Sequence, residues 1–121
     1  MAHILAVDDD AAILKVVRLN LERAGHQVEV RTDPTQVLDL LAGTSFDLLV
    51  LDVMMPGLDG LALCERVRAA GVETPILFLT AKNSSFDVLA GYAAGAQAYL
   101  PKPFQGAELL EKVRYALGQG S

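Results

Sequence analysis

At 121 residues and 52% hydrophobic, the chain can bury one core and lacks the length for a second, so one domain over 1–118 with a tail at 119–121 is expected. A net charge of −5 with no basic cluster excludes a duplex-binding surface. No apolar run approaches the ~20 residues that span a bilayer, no basic lead precedes the N-terminal apolar stretch, and the solitary Cys64 excludes an internal disulfide, which together point to a reducing cytoplasm.

Strand-like and helix-like segments then alternate. His3-Ile4-Leu5-Ala6-Val7 runs directly into Asp8-Asp9-Asp10, a first strand over about 3–8. Ile13, Val16, Val17, Leu21 and Ala24 recur with a helical period over 11–24, with Asp9 or Asp10 as cap and Gly25 as stop. Val28 and Val30 alternate with polar neighbours from Gln27 to Arg31, as in an edge strand. Thr32-Asp33-Pro34 opens a second helix to about Gly43, with Asp33 capping and Pro34 at its first position. Residues 46–51 are a third strand ending in Asp52, and Pro56-Gly57-Leu58-Asp59-Gly60 is a loop in which Asp59 is a turn residue. A helix from about 60 to Gly71 comes next, holding Cys64 as a buried structural thiol. Pro75 to Leu79 is a fourth strand, and a polar loop over 81–85 opens a small-residue helix ending near Gly95. Gln97 to Leu100 is a short fifth strand and 105–118 the last helix. Unbroken Ile/Leu/Val runs mark strands covered on both faces. β-α units with short connections predict a right-handed, doubly wound parallel sheet.

In such a sheet every strand delivers the residues just beyond it to the crevice at the carboxyl ends. Asp8, Asp9 and Asp52 therefore meet there, joined by Thr80 at the end of the fourth strand and Lys102 just past the fifth. Crowded carboxylates repel unless a cation or a proton intervenes, and hard oxygen donors beside open positions suit Mg²⁺ and a substrate phosphate. Asp52 is the candidate nucleophile, because a carboxylate can attack phosphorus and form an acyl phosphate. Mg²⁺ held by Asp9 and Asp52, with Asp8 acting through water, would bridge to one phosphoryl oxygen, Lys102 would neutralise a second and Thr80 would hydrogen-bond a third. Taken singly, Asp8 or Asp9 reads as a helix cap, Thr80 as a turn hydroxyl and Lys102 as a solvated charge. Their occurrence in order, at the ends of four strands, is the feature that points to a site.

Ala6-Val7-Asp8-Asp9-Asp10, Leu51-Asp52-Val53-Met54-Met55-Pro56-Gly57-Leu58-Asp59-Gly60, Leu79-Thr80-Ala81 and the run from Gly95 through Tyr99-Leu100-Pro101-Lys102-Pro103-Phe104 resemble the receiver domain of two-component response regulators over essentially the whole chain. The resemblance implies an α/β, flavodoxin-like sandwich with strand order 2-1-3-4-5. It implies phosphotransfer to Asp52 from a histidine kinase or phosphotransfer protein, and Mg²⁺ on Asp9, Asp52 and the Met54 backbone carbonyl, with Asp8 through water. Thr80 and Lys102 would contact the phosphoryl group, and the Lys102-Pro103 bond would be cis. It further implies a switch in which Thr80 moves toward the phosphoryl group and Tyr99 swings inward, reshaping the face of the fourth helix, fifth strand and fifth helix for an output partner. By itself Tyr99 reads as an aromatic half-buried at a sheet edge.

Several positions depart from the family pattern. Gln97-Ala98 stands where DNA-binding members often carry acids, Val88 and Tyr92 fall on the fourth helix where such members often place a base, and only Glu108 and Lys112 remain of the dimer-pairing salt bridges. A monomer or weak phosphorylation-dependent dimer is expected, with a stand-alone regulator or another output favoured. Met54 and Lys82 flank the site and would tune access of water. Two rival functions are a small phosphatase of the haloacid dehalogenase type, from Asp8-x-Asp10 and Lys102, and a degenerate receiver that only binds partners. Ala11-Ala12 and the short chain argue against the first, and the complete acid, threonine and lysine set against the second. The expectation is a signalling switch and not an enzyme.

Overall fold

The computed structural model describes residues 2–53, 55, 58–81 and 85–119, without the side chains of 85–89 and 119. β1 (His3–Val7), β2 (Gln27–Arg31), β3 (Leu48–Leu51), β4 (Ile76–Thr80) and β5 (Ala98–Pro101) form one parallel sheet in the order β2-β1-β3-β4-β5. Between and after them run α1 (Ala11–Arg23), α2 (Val37–Gly43), α3 (Gly60–Ala69), α4 (Ser85–Ala94) and α5 (Gly106–Gln119). The register sets Val7 opposite both Arg31 and Leu51, Leu51 opposite Phe78, and Thr80 opposite Pro101. All five strands therefore end at one edge, and the residues just past them meet there.

The apolar runs are explained by two cores, one on each face. Ile4, Ala6, Leu48, Val50, Leu77 and Leu79 pack with Leu14, Val17 and Leu21 of α1 and Leu109 and Val113 of α5. The alternate residues Leu5, Val7, Leu49, Leu51, Ile76 and Phe78 pack on the other face with Val37, Leu63, Cys64 and Val67. Alternation along a pleated strand sends successive side chains to opposite faces, so a sheet covered twice needs apolar residues at every position. Full burial of each such side chain contributes roughly 1.5–3 kcal/mol. Cys64 lies in the second core with its Sγ donating to the Ala94 carbonyl at 3.2 Å, and burial pushes the thiol up from its ordinary range, as befits a structural cysteine.

Several boundaries differ from the expected ones because side chains take over backbone pairing. β3 begins at Leu48, and the Asp47 carboxylate accepts the His3 N–H at 2.8 Å. β4 and β5 each lie one residue later than expected. Gln97 is drawn out of β5, since its Oε1 accepts the Ile76 N–H at 2.8 Å and Arg68 Nη2 at 3.0 Å. The segment opened by Asp33-Pro34 begins as a 3₁₀ turn over Pro34–Gln36, tightened by Asp33 accepting the Thr35 N–H at 2.9 Å, before α2 takes over at Val37. At the pole opposite the acids, Arg68 ties several segments of chain together. It donates to the Gly95 carbonyl at 2.8 and 3.2 Å, to Val72 at 3.0 Å and to Thr74 at 2.7 Å. Gly95 sits at φ +114°, where a Cβ would also meet the Arg68 side chain at 3.0 Å, so this helix end requires glycine for two reasons.

Candidate functional site

The acids stand at the carboxyl edge, as the topology requires. Past β1, the Asp8 N–H donates to the Arg31 carbonyl at 3.2 Å, and past β3 the Asp52 N–H donates to the Val7 carbonyl at 3.0 Å. These bonds continue the sheet ladder by one step and put Asp52 beside the end of β1. One carboxylate oxygen from each of Asp8, Asp9 and Asp52 lies within 4.8 Å of the other two. Asp8 and Asp52 are 3% and 5% exposed, whereas Asp9 is open to solvent.

Lys102 closes the pocket from the β5 side. Its Nζ donates to Asp8 Oδ2 at 2.8 Å and to Asp52 Oδ2 at 3.4 Å, so its ammonium is a partly buried counter-ion and not the solvated charge a lone lysine suggests. The Lys102 N–H donates to the Thr80 carbonyl at 2.8 Å, and Thr80 is fully buried as the last residue of β4. The Lys102-Pro103 bond is cis, in agreement with the expectation. The arrangement thus holds two buried carboxylates, one exposed carboxylate and one ammonium, with a hydroxyl on the adjoining strand.

The electrostatics arise from this burial. Loss of water, opposed by hydrogen bonds from Lys102 and the Asp10 N–H and assisted by the charge of Asp52, pushes the Asp8 carboxyl up from 3.8 to about 6. Burial works against the Lys102 ammonium as well, but its hydrogen bond to Asp8 and the charges of Asp8 and Asp52 outweigh this and hold it above its usual value. The folded chain therefore binds the Asp8 proton more tightly than the unfolded chain, and this group makes stability fall as pH rises from about 3.8 to about 6. An Asp8→Asn variant lacks that titration. The unfolding free energy of the native chain minus that of Asp8→Asn, from urea curves, should decline across this window and level off above it. A flat difference would contradict the electrostatic picture. His26, whose pKa burial lowers, contributes with the opposite sign, and the subtraction cancels it.

The neighbouring acids are assigned to backbone work. Asp10 caps α1, accepting the Ala12 and Ile13 N–H groups at 2.9 and 3.4 Å, while its own N–H donates to Asp8 Oδ1 at 2.9 Å. This settles the choice of cap between Asp9 and Asp10, and it withdraws Asp10 from any Asp8-x-Asp10 catalytic pair. Asp59, expected to be a turn residue, is the N-cap of α3 and accepts the Ala62 N–H at 2.8 Å. Gly60, expected to close a loop and open the next helix, does open α3 and also supports the site. Its N–H donates to the Val53 carbonyl at 2.9 Å, and a Cβ there would collide with the Asp52 carbonyl oxygen. The Asp-Gly pair at the helix start was the available signal, but the close approach joins residues from two elements. Met54 and Lys82 lie outside the described residues, as does the Val88 side chain, whereas Tyr92 is 45% exposed.

The positions tied to switching and pairing are also placed. Tyr99 is buried, not half-buried, and meets Phe78 in a T-shaped contact with ring centroids 6.4 Å apart. Gln97 is spent inside the fold on Ile76 and Arg68, and Glu108 Oε1 accepts the Gln105 N–H at 2.8 Å at the start of α5. Gln97 is half-buried, whereas Glu108 is exposed with one carboxylate oxygen engaged at the helix start.

A five-stranded parallel sandwich of order 2-1-3-4-5 with a buried aspartate between an acidic turn and a lysine defines a class of phosphate-handling signalling domains. The chain belongs to that class by family: the response regulator receiver domain model matches residues 4–114. The response regulator MprA of Mycobacterium sp. (strain KMS) is 48% identical over 119 residues, which are 98% of this chain and 52% of that protein. The chain thus spans about half the length of the curated relatives it matches. The receiver domain of the Francisella response regulator 1452 superposes with a TM-score of 0.93 at 30% identity, covering 100% of both chains. The chemotaxis response regulator CheY4 of Vibrio cholerae superposes at 0.90 with 36% identity, covering 96% of this chain and 98% of that one. The flavodoxin-like fold and the receiver assignment stand on these matches together with the sheet order. No helix among the described residues is long and apolar enough to cross a membrane.

Proposed function

We propose that Asp52 accepts a phosphoryl group from the phosphohistidine of a histidine kinase or phosphotransfer protein, and that the chain then signals through the α4, β5 and α5 face to an output partner. The observation that carries this is the convergence of Asp8, Asp9 and Asp52 within 4.8 Å under the Lys102 ammonium. An Asp52 carboxylate oxygen attacks phosphorus, the new O–P bond forms as the bond to the imidazole nitrogen breaks, and the released nitrogen takes up a proton. Lys102 neutralises charge on the transferring group. Thr80 donates its hydroxyl to a phosphoryl oxygen, and Tyr99, on β5, transmits the change to the α4 surface.

The residues fit a divalent cation. The donors are hard carboxylate oxygens within 4.8 Å of one another, two of them on buried aspartates, and an ammonium already stands as counter-ion to those two. Asp9, Asp52 and the Met54 carbonyl would hold Mg²⁺, with Asp8 through water. When bound, Mg²⁺ supplies charge neutralisation to the carboxylates and a phosphoryl oxygen.

Incubation with Mg²⁺ and acetyl phosphate tests the reading. One base-labile phosphoryl group should appear, mapped to Asp52 by borohydride reduction and peptide analysis. Turnover of phosphate esters would point to an enzyme, and no label at all to a module that only binds. Lys102→Met should lower the rate of labelling roughly 10²- to 10³-fold, the usual cost of losing one donor to developing charge; a rate within about threefold of native would remove Lys102 from the machinery. The expected setting is cytoplasmic, with a monomer or a weak phosphorylation-dependent dimer.

A further inference from the structure

A glycine in the middle of a helix weakens it relative to alanine, so Gly91 within α4 calls for a reason. The structure supplies one. A Cβ at Gly91 would lie 3.2 Å from Phe78 Cδ2, 3.4 Å from Tyr99 Cδ2 and 3.5 Å from Phe78 Cε2. Gly91 is itself buried, and the two rings that the added Cβ would meet are in edge-on contact with each other. An added methyl must therefore displace something by a few tenths of an ångström.

Each neighbour differs in its freedom to move. Phe78 is fully buried in the central part of the sheet, with β3 on one side and β5 on the other, and cannot recede. The end of α4 is tied down, because the Ala94 carbonyl accepts Cys64 Sγ and the carbonyl of Gly95, just past the helix, accepts two donors of Arg68. The Ala96 N–H also donates back to the Gly91 carbonyl at 3.2 Å. Tyr99 remains. It belongs to β5, the edge strand of the sheet, and outward motion of its ring meets no further strand.

We infer that Gly91 is the positioning residue that keeps open the buried seat of the Tyr99 ring, and that its missing side chain thereby sets how tightly the Asp52 pocket holds a phosphoryl group. The second half rests on the switch proposed above, in which buried Tyr99 accompanies an occupied site. Coupling between two sites is reciprocal, so emptying the Tyr99 seat weakens phosphoryl binding to the same degree that phosphoryl binding favours the filled seat. The substitution changes no charged group, and the atoms nearest to the added Cβ belong to Phe78 and Tyr99 and not to the pocket.

Fluorine NMR on the 121-residue chain carrying 3-fluorotyrosine tests the inference. Tyr92 and Tyr115 are 45% and 56% exposed, so the solvent-shielded line belongs to Tyr99, and Tyr99→Phe assigns it. Gly91→Ala should move that line to a solvent-exposed shift, read by its change between H₂O and D₂O. It should also raise the beryllofluoride concentration needed for half-saturation in Mg²⁺ by roughly fivefold or more. Alanine raises helix propensity, so loss of the fold is not the expected result. Adding Phe78→Leu, which makes room for the methyl group beside the Tyr99 ring, should restore both readings toward native. If Tyr99 stays shielded in Gly91→Ala, or if it becomes exposed with the beryllofluoride midpoint unchanged, the inference is overturned. If the native pocket does not bind beryllofluoride in Mg²⁺, the switch reading fails first and takes the coupling with it.

Discussion

Replacing Asp52 with asparagine is expected to abolish phosphoryl labelling by acetyl phosphate, from one group per chain to none, without loss of the fold. The amide keeps the volume of the side chain but offers no anionic oxygen to attack phosphorus. The main-chain bond from the Asp52 N–H to Val7 survives, and Lys102 keeps its 2.8 Å bond to Asp8. One of two buried like charges disappears, so thermal stability should rise or stay level. Stabilisation by Mg²⁺, which tracks the logarithm of ligand concentration over dissociation constant, should shrink in the variant because a proposed ligand is gone. Intact-protein mass spectrometry reads the stoichiometry, and thermal melts with and without Mg²⁺ read the rest. Undiminished labelling of Asp52→Asn would overturn the assignment of the acceptor.

The largest expected loss of stability comes from Arg68→Ala. The guanidinium satisfies the carbonyls of Val72, Thr74 and Gly95 and the Gln97 side chain, which in turn holds the Ile76 N–H. Truncation leaves half-buried acceptors without a donor and frees Gln97. Hydrogen bonds to charged groups contribute roughly 1.5–3 kcal/mol each, less where water can replace the donor, so a total of about 3 kcal/mol is expected. For a domain of this length that lowers the melting temperature by roughly 10 °C. Arg68→Lys should recover little, because an ammonium is a point charge and cannot span the fork of acceptors. The clamp lies at the pole away from Asp52, so acetyl phosphate labelling well below the melting temperature should persist. A change in melting temperature under about 2 °C would show that these bonds are exchanged for water at little cost.

These two cases differ in how far they could be read from sequence. Asp52 was visible because a continuous apolar run stops at a carboxylate, and the same pattern at Asp8 and Thr80 marked the ends of neighbouring strands. The order of those strands made their ends coincide, and family resemblance gave the same answer. Arg68 was not visible. Its acceptors are mostly backbone carbonyls, which carry no residue signature, and those of Val72 and Gly95 sit 4 and 27 positions away. Asp59 and Gly60 fall between these cases, since their dipeptide marks a turn or a cap equally well and only the approach to the Asp52 carbonyl decides.

Local pattern and composition were enough to determine the alternating elements, the two-faced apolar sheet and the set of acids at its edge, because periodicity and burial are properties of short stretches of chain. Which partner each polar group takes was decided only in three dimensions. Lys102 reaches Asp8 across 94 positions, Asp10 turns to cap α1 instead of entering the pocket, and Gln97 leaves the surface for Arg68 and Ile76. Once buried, each of these groups must satisfy its hydrogen bonds from whatever the packed core brings within reach, and that inventory exists only after the strands have aligned.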